Sequence, residues 1–399
     1  MKIENCKIEN LLSYYLKVYG CQYNEWDGAK LDYILQKLGL TASSEQEADI
    51  VFILSCSVRK SAVDRVMSTV KNNSGKKVIV TGCILEADKK KYENKNVTLW
   101  DINKPEELLN IISNCHSGPD PESRKILKQA QDDNIIIKPF DSAQKIPFVA
   151  QGKQFSNNGA ISSAYLPIIT GCNNFCSYCA VPYVRGRERS RDFDEIVNDF
   201  KKLVKAGHKE ITLLGQNVNS YSKQNTDNSI QKKRKNDFAE LLKVLNDVPG
   251  DFLIGFTSNH PKDMTDEIID VVKNLPKVKK EIHLPFQSGS NKILKAMNRP
   301  YTREKYLALI KKLKKEIPEI KITTDVIVGF PGETEGDFQK TVDIIKKVGF
   351  AQSFTNKYSP RSGTASFKLG DPILWQEKQR RWGIINEIIN KRINPGSKN

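Results

Sequence analysis

The sequence predicts an α/β protein with an N-terminal open parallel α/β sheet followed by a partial (β/α)6 barrel. Two patterns predict it. Apolar runs of strand length alternate with stretches of helical spacing between residues 14 and 83, and the alternation resumes at Tyr165. No apolar run of about 18 residues interrupts it, so no membrane-spanning helix and no membrane partner are expected.

The first sheet reads in order. YYLKVYG (14–20) is a strand ending at Cys21, and 25–38 has helical spacing through Trp26, Leu31, Ile34, Leu35 and Leu38. DIVFILS is a buried strand ending at Cys56, followed by a helix through Val63, Val66 and Val70. KKVIVTG ends at Cys83. Three cysteines thus follow three successive strands, at the sheet edge where open α/β folds bind ligands. Residues 118–160 lack periodicity and read as a linker between a domain at 13–117 and a second at 161–372. Strands are expected in that second domain at 164–170, 210–214, 252–256, 280–285, 321–328 and 351–357. The intervening helices fall at 192–206, 237–247, 263–274, 302–316 and 335–348. Such an alternation closes part of a barrel. Residues 222–236 read as a polar, basic insert, and 373–399 as a terminal helix and tail.

The composition narrows the function. A formal charge of +16, from 63 Lys+Arg against 47 Asp+Glu, suits a polyanionic partner, nucleic acid first. A generally lysine-rich surface is the alternative reading. The N-terminus mixes charges into its apolar residues and lacks a signal-peptide core, so a cytoplasmic location is expected. Eight cysteines then point to metal or catalysis more than to disulfides. Cys6 and Cys115 fit no pattern.

Residues 172–179, CNNFCSYC, follow the first barrel strand and carry Cys172, Cys176 and Cys179. A closed structural zinc site wants four protein ligands, and the closest histidine in sequence is His208. An iron–sulfur cube on three thiolates instead leaves one iron open to substrate. A zinc site completed by a distant ligand is the alternative. Three polar strand ends offer ligand contacts at the same barrel mouth: Gly215-Gln216-Asn217, Gln287 and Gly329. Ordinary tight turns would also explain their glycines. VPYVRGRERSR brings Arg185, Arg187, Arg189 and Arg191 next to the loop, dense enough to grip phosphates or stack on bases. Lys232–Lys235 reads as plain surface. Cys21, Cys56 and Cys83 are either ordinary core cysteines or the ligands of a second cluster, again three in number.

The segments VYGCQYNEWDG, LSCSVRKSAVDRV, VTGCILEAD, GCNNFCSYCAVPYVRGRERSR, HLPFQSGSNKILKAMNR, TTDVIVGFPGETEGDF and KYSPRSGTAS together resemble the radical S-adenosylmethionine methylthiotransferase family. The resemblance runs from about residue 14 to 393. It implies a radical-SAM barrel, two 4Fe–4S clusters and S-adenosylmethionine. Cys172, Cys176 and Cys179 would hold one cluster, and Cys21, Cys56 and Cys83 an auxiliary one. Tyr178, Gly215, Gln216, Asn217, Gln287 and Gly329 would contact S-adenosylmethionine. ITLLGQNVNSY (211–221) is similar to the branch that adds a methylthio group to C2 of N6-isopentenyladenosine at tRNA position 37. The auxiliary cluster would be the sulfur source, and a low-potential donor such as a flavodoxin or ferredoxin would supply electrons. No DNA partner is implied. Other branches act on threonylcarbamoyladenosine of tRNA or on an aspartate of a small-subunit ribosomal protein. A non-catalytic metal-containing RNA-binding protein is the reading of a different class. The family's usual C-terminal small β domain is absent from this sequence, and Leu54-Ser55 stand where the branch more often has Asn-Thr.

Overall fold

A computed structural model describes residues 12–58, 60–93, 96–113, 163–223 and 236–393. The expected linker, Cys6, Cys115, the Lys232–Lys235 run, most of the 222–236 insert and the final tail lie outside the described residues. The described residues form two compact units, 12–113 and 163–393.

In the first unit, strands β1 (Ser13–Val18), β2 (Thr41–Ala42), β3 (Ile50–Cys56), β4 (Lys77–Cys83) and β5 (Val97–Leu99) form one parallel sheet in the order β2-β1-β3-β4-β5. Helices α1 (Gln22–Lys37), α2 (Lys60–Asn72), α3 (Glu86–Tyr92) and α4 (Pro105–Ser113) connect or follow the strands. All seven residues of β3 are buried, the mark of a central strand covered on both faces. Phe52 and Leu54 pack on one face with Tyr14, Leu35, Trp100 and Ile112. Val51 and Ile53 pack on the other with Val63, Val66, Val70 and Tyr92. The predicted core alternation is observed. The edge strands β2 and β5 and helices α3 and α4 are additions, because two- and three-residue strands carry no period to read.

The second unit places two three-stranded parallel sheets along one arc. The first pairs β6 (Ser163–Pro167), β9 (Glu210–Leu214) and β10 (Leu253–Phe256). The second pairs β11 (Glu281–His283), β12 (Lys321–Val328) and β13 (Gln352–Lys357). A single parallel bridge, Ile254 with Val278, links β10 to the approach to β11. Six parallel strands therefore follow one another as a partial barrel.

The 164–170 strand is shorter than expected. It breaks at Ile168, and β7 (Ile169–Thr170) pairs antiparallel with β8 (Arg189–Ser190). That small ladder folds the cysteine loop back over the strand end. Helices α5 (Val181–Val184), α6 (Phe193–Lys205), α7 (Phe238–Asn246), α8 (Asp266–Asn274), α9 (Asn291–Ala296), α10 (Arg303–Glu316), α11 (Glu335–Val348) and α12 (Trp375–Ile393) complete the unit. Helix α8 starts three residues later than expected, because a 3₁₀ turn at Pro261–Asp263 precedes it and Thr265 caps it.

Candidate metal centre

The cysteine loop is fixed from several directions. Gly171 has φ +75°, and a Cβ there would sit 2.1 Å from the Arg187 carbonyl oxygen. Only glycine lets the chain turn so close to the returning strand. The Gln216 side-chain oxygen accepts from the Gly171 amide at 2.6 Å, and Gly186 O accepts from the Cys172 amide at 3.3 Å. On the far side Ser177 donates from N to Met297 O (3.0 Å) and from Oγ to Ala296 O (2.8 Å). Asn298 Nδ2 donates to Phe175 O at 2.9 Å.

Phe175, Ser258, Gln287 and Asn298 all adopt left-handed backbone conformations without being glycine. Phe175, Ser258 and Gln287 lie in loops past barrel strands, where such strain gathers at functional sites, while Asn298 ends helix α9.

Two donors meet the loop sulfurs. Asn174 Nδ2 lies 3.4 Å from Cys172 Sγ, and Arg299 Nη1 lies 3.4 Å from Cys176 Sγ. Burial pushes the Cys172 thiol up to about 11 and the Cys179 thiol up to about 12, with Cys176 adding to both. Unliganded, both are protonated at neutral pH, so metal binding must displace their protons.

Among the described residues no three His, Cys, Asp or Glu side chains converge tightly enough to hold a metal ion. A mononuclear zinc site therefore has no ready donor set there. A cube spreads its ligands over separate irons rather than one centre. Three thiols on one loop, two of them facing N–H donors, suit it in donor type and number.

The second trio sits at the edge of the first unit's sheet. Strands β1, β3 and β4 are neighbours, and Cys56 and Cys83 share a rung of the β3–β4 ladder. Cys21, exposed, stands at the N-cap of α1, while Cys56 and Cys83 are buried. Asn24, fully buried, ties the three segments together. Its Nδ2 donates to Tyr19 O and Ser55 O, each at 2.8 Å, and its Oδ1 accepts from the Cys83 thiol at 3.6 Å. Gly20, at φ +135°, leaves the space this needs, since a Cβ would meet Asn24 Nδ2 at 2.7 Å and Cys56 Cβ at 3.0 Å.

The polar strand ends divide by role. Gln216 is committed to the cysteine loop. Asn217 donates to Asp263 at 2.8 Å, yet its Oδ1 is buried without a partner. Gln287 Oε1 and Asn259 Oδ1 are in the same state, and a buried orphan acceptor signals an absent donor. His260 Nε2 is also unpartnered, but as a donor, since Nδ1 accepts from the Lys262 amide. Gly215 is explained by packing, because a Cβ would lie 2.2 Å from Ile169 Cγ2. Gly329 is explained likewise by the Lys378 stem, 2.4 Å from its notional Cβ. Tyr178 packs against Ile293, Met297, Phe330 and Tyr358.

The four arginines do not act alike. Arg187 and Arg189 are exposed and Arg185 is half-buried. The Arg187 guanidinium lies 4.3 Å from the centre of the Phe175 ring. Arg191 corrects the expectation of an RNA contact. It is buried, pairs with Asp199 at 2.6 Å and donates to Pro167 O at 3.0 Å. It is a brace between α6 and β6.

Sequence reasoning assigned no role to Arg299 or Asn24. Asn24 had a legible signal, three residues after Cys21 and one turn into a helix. Arg299 had none, since its partner lies 123 residues away in the chain.

Comparison with known proteins adds to this geometry. A sequence profile for the radical SAM superfamily matches residues 166–345, and one for the uncharacterized protein family UPF0004 matches 13–100. The chain is 38% identical over 395 residues to the tRNA-2-methylthio-N(6)-dimethylallyladenosine synthase of Clostridium tetani, covering 97% of this chain and 83% of that protein. It is 39% identical over 387 residues to the synthase of the same name from Carboxydothermus hydrogenoformans, covering 95% and 83%. Among solved structures, the radical S-adenosylmethionine methyltransferase TsrM from Kitasatospora setae aligns over 90% of this chain and 77% of its own, at 12% identity and a TM-score of 0.52. That last likeness concerns the fold alone.

Proposed function

Because this chain belongs to the radical SAM family of tRNA-2-methylthio-N(6)-dimethylallyladenosine synthases, we propose that it adds a methylthio group to C2 of N6-isopentenyladenosine at position 37 of tRNA. The observation that carries this is the identity of 38% over 97% of the chain. Both cysteine trios lie at or just past the C-terminal ends of strands, which supports the same reading.

Cys172, Cys176 and Cys179 would hold one 4Fe–4S cluster, and Cys21, Cys56 and Cys83 the auxiliary cluster that provides sulfur. When bound, the first would supply the low-potential electron for reductive cleavage of S-adenosylmethionine, the chemistry that activating C2 of the adenine requires. The chain's own residues orient and seclude. The β7–β8 ladder and the Ser177 and Asn298 hydrogen bonds keep the loop in one conformation. The orphan acceptors Asn217 Oδ1, Asn259 Oδ1 and Gln287 Oε1 offer sites for N–H and O–H donors of the cofactor. Burial, aided by Arg299 and Lys262, drives the His260 pKa down to about 2, so its imidazole stays neutral. Its Nδ1 accepts from the Lys262 amide at 3.2 Å, which leaves the proton on Nε2 as a donor. Arg187 and Arg189, both exposed, would meet phosphate. Among the described residues no helix is long and apolar enough to cross a membrane. We place the enzyme in the cytoplasm with its tRNA, receiving electrons from a flavodoxin- or ferredoxin-type donor.

The test is mass spectrometry of tRNA nucleosides from cells with and without the protein. Loss of a 2-methylthio-N6-isopentenyladenosine signal is expected. If that nucleoside persists while 2-methylthio-threonylcarbamoyladenosine or a modified ribosomal aspartate disappears, the substrate assignment fails.

A further inference from the structure

Arg299 is a buried cation that, among the described residues, forms no ion pair with a carboxylate, although Asp263 lies near enough to feel its charge. Its Nε donates to Tyr301 Oη at 2.9 Å, its Nη2 to Pro285 O at 2.8 Å, and its Nη1 to Cys176 Sγ at 3.4 Å. Two other deeply buried arginines show the usual solution. Arg191 meets Asp199 at 2.6 Å and Arg381 meets Glu333 at 2.7 Å. Leaving a guanidinium buried and unbalanced is costly, and an arginine cannot shed its proton to escape that cost. Tyr301 and a carbonyl oxygen provide dipoles, not charge. Among the described residues, the partner able to become an anion through metal ligation is the Cys176 sulfur.

We infer that Arg299 is the counter-cation of the loop cluster, and that its guanidinium, acting through Cys176, raises that cluster's reduction potential. The inference rests on the functional reading above, because it needs a cluster on Cys172, Cys176 and Cys179. The sign follows from charge. Reduction adds an electron, and a fixed positive charge in a low-dielectric setting stabilises the more negative state. Hydrogen bonds to cluster sulfurs act in the same direction and are an established lever on potential. Each of the three guanidinium nitrogens of Arg299 already donates one hydrogen bond and its side chain is buried, which suits a fixed charge beside the loop. It is a positioning and tuning residue. Asn298, immediately before it, donates to Phe175 O at 2.9 Å from a left-handed backbone. One turn therefore carries both the clamp on the loop and the charge beside its sulfur.

The experiment uses the full-length chain, reconstituted anaerobically with iron and sulfide, in a Cys56→Ala background so that the loop cluster titrates alone. The midpoint potential is read by electron paramagnetic resonance during titration with dithionite. Arg299→Gln keeps a polar side chain but loses the charge. It is expected to weaken one-electron reduction tenfold or more, about 59 mV. Arg299→Lys keeps the charge and is expected to stay within about threefold of the parent. Equal midpoints for the parent and the glutamine variant overturn the inference, as does an equal fall in both variants.

A second measurement needs no variant to fold. Protein grown with 15N-guanidino arginine should show a hyperfine coupling from that nitrogen to the reduced cluster, and its absence overturns the inference. A parent chain that takes up no iron defeats the functional reading itself. Iron uptake with unmoved midpoints defeats only the role of Arg299.

Discussion

At the residue scale, single side chains hold segments that are far apart in sequence. Asn24 satisfies the carbonyls of Tyr19 and Ser55 and lies against Cys83. Asn24→Ala would leave two buried carbonyls without donors, at about 1–3 kcal/mol each. Chemical denaturation should show a loss of about 2–4 kcal/mol in the N-terminal unit, and iron content should fall toward that of one cluster. His260 makes a pH prediction. Burial, with Arg299 and Lys262 nearby, lowers its pKa from 6.5 to about 2. Below pH 6.5 the unfolded chain gains a proton that the folded chain refuses. Stability is therefore full above pH 6.5 and declines as pH falls, by about 1.4 kcal/mol per unit from this group. Replacing His260 with glutamine should flatten the slope of stability between pH 6.5 and 4.5. The role of Arg299 could not be read beforehand, because it depends on which distant atoms come into reach, whereas the place of Asn24, three residues after Cys21, was a signal that went unused. The two cysteine trios were legible, because each follows a strand whose pattern is plain.

At the scale of elements, pattern and capping set the boundaries. Helix α11 begins with a reciprocal cap, Thr334 receiving from the Asp337 amide and Asp337 receiving from the Thr334 amide. Asp337 also accepts from Ser290 Oγ at 2.7 Å. Burial alone would raise its pKa, but the Ser290 and Thr334 hydrogen bonds and Lys292 hold it well below the usual carboxylate range. Asp337→Asn should lower stability by about 1–2 kcal/mol, read from the denaturant midpoint. The same logic separates what was legible from what was not. The predicted spans 321–328 and 335–348 coincide with β12 and α11, where β-branched alternation and a capping box leave no ambiguity. The 164–170 strand was read as one because its residues are uniformly apolar. Its break at Ile168 is set by β8, a partner twenty residues on that has no strand signature of its own.

At the scale of the molecule, charge and architecture serve different ends. The net charge of +16 favours a polyanion without saying where it binds, and the buried ion pairs show that not every arginine contributes. Arg187→Ala should cost little stability, weaken tRNA binding and reduce the salt slope by about one. Arg191→Ala should instead destabilise, by at most about 3–5 kcal/mol since Asp199 keeps Lys202 at 3.3 Å as a partner, with a nearly unchanged slope for whatever protein remains folded. Filter binding across a salt series, paired with thermal melts, distinguishes the two.

The last helix has its own bearing on how the gene can be cut. Lys378, buried over Gly329, reaches Tyr358 O at 2.9 Å, and Arg381 reaches the carboxylate of Glu333, itself bonded to the Gly329 amide at 2.6 Å. A stop codon or splice upstream of residue 375 would leave the buried Glu333 carboxyl without its arginine, and burial would favour its protonated form. Anyone trimming this polypeptide for crystals or fusions inherits that constraint: helix α12 is a fastening, and the turn at Gly329 is what it fastens.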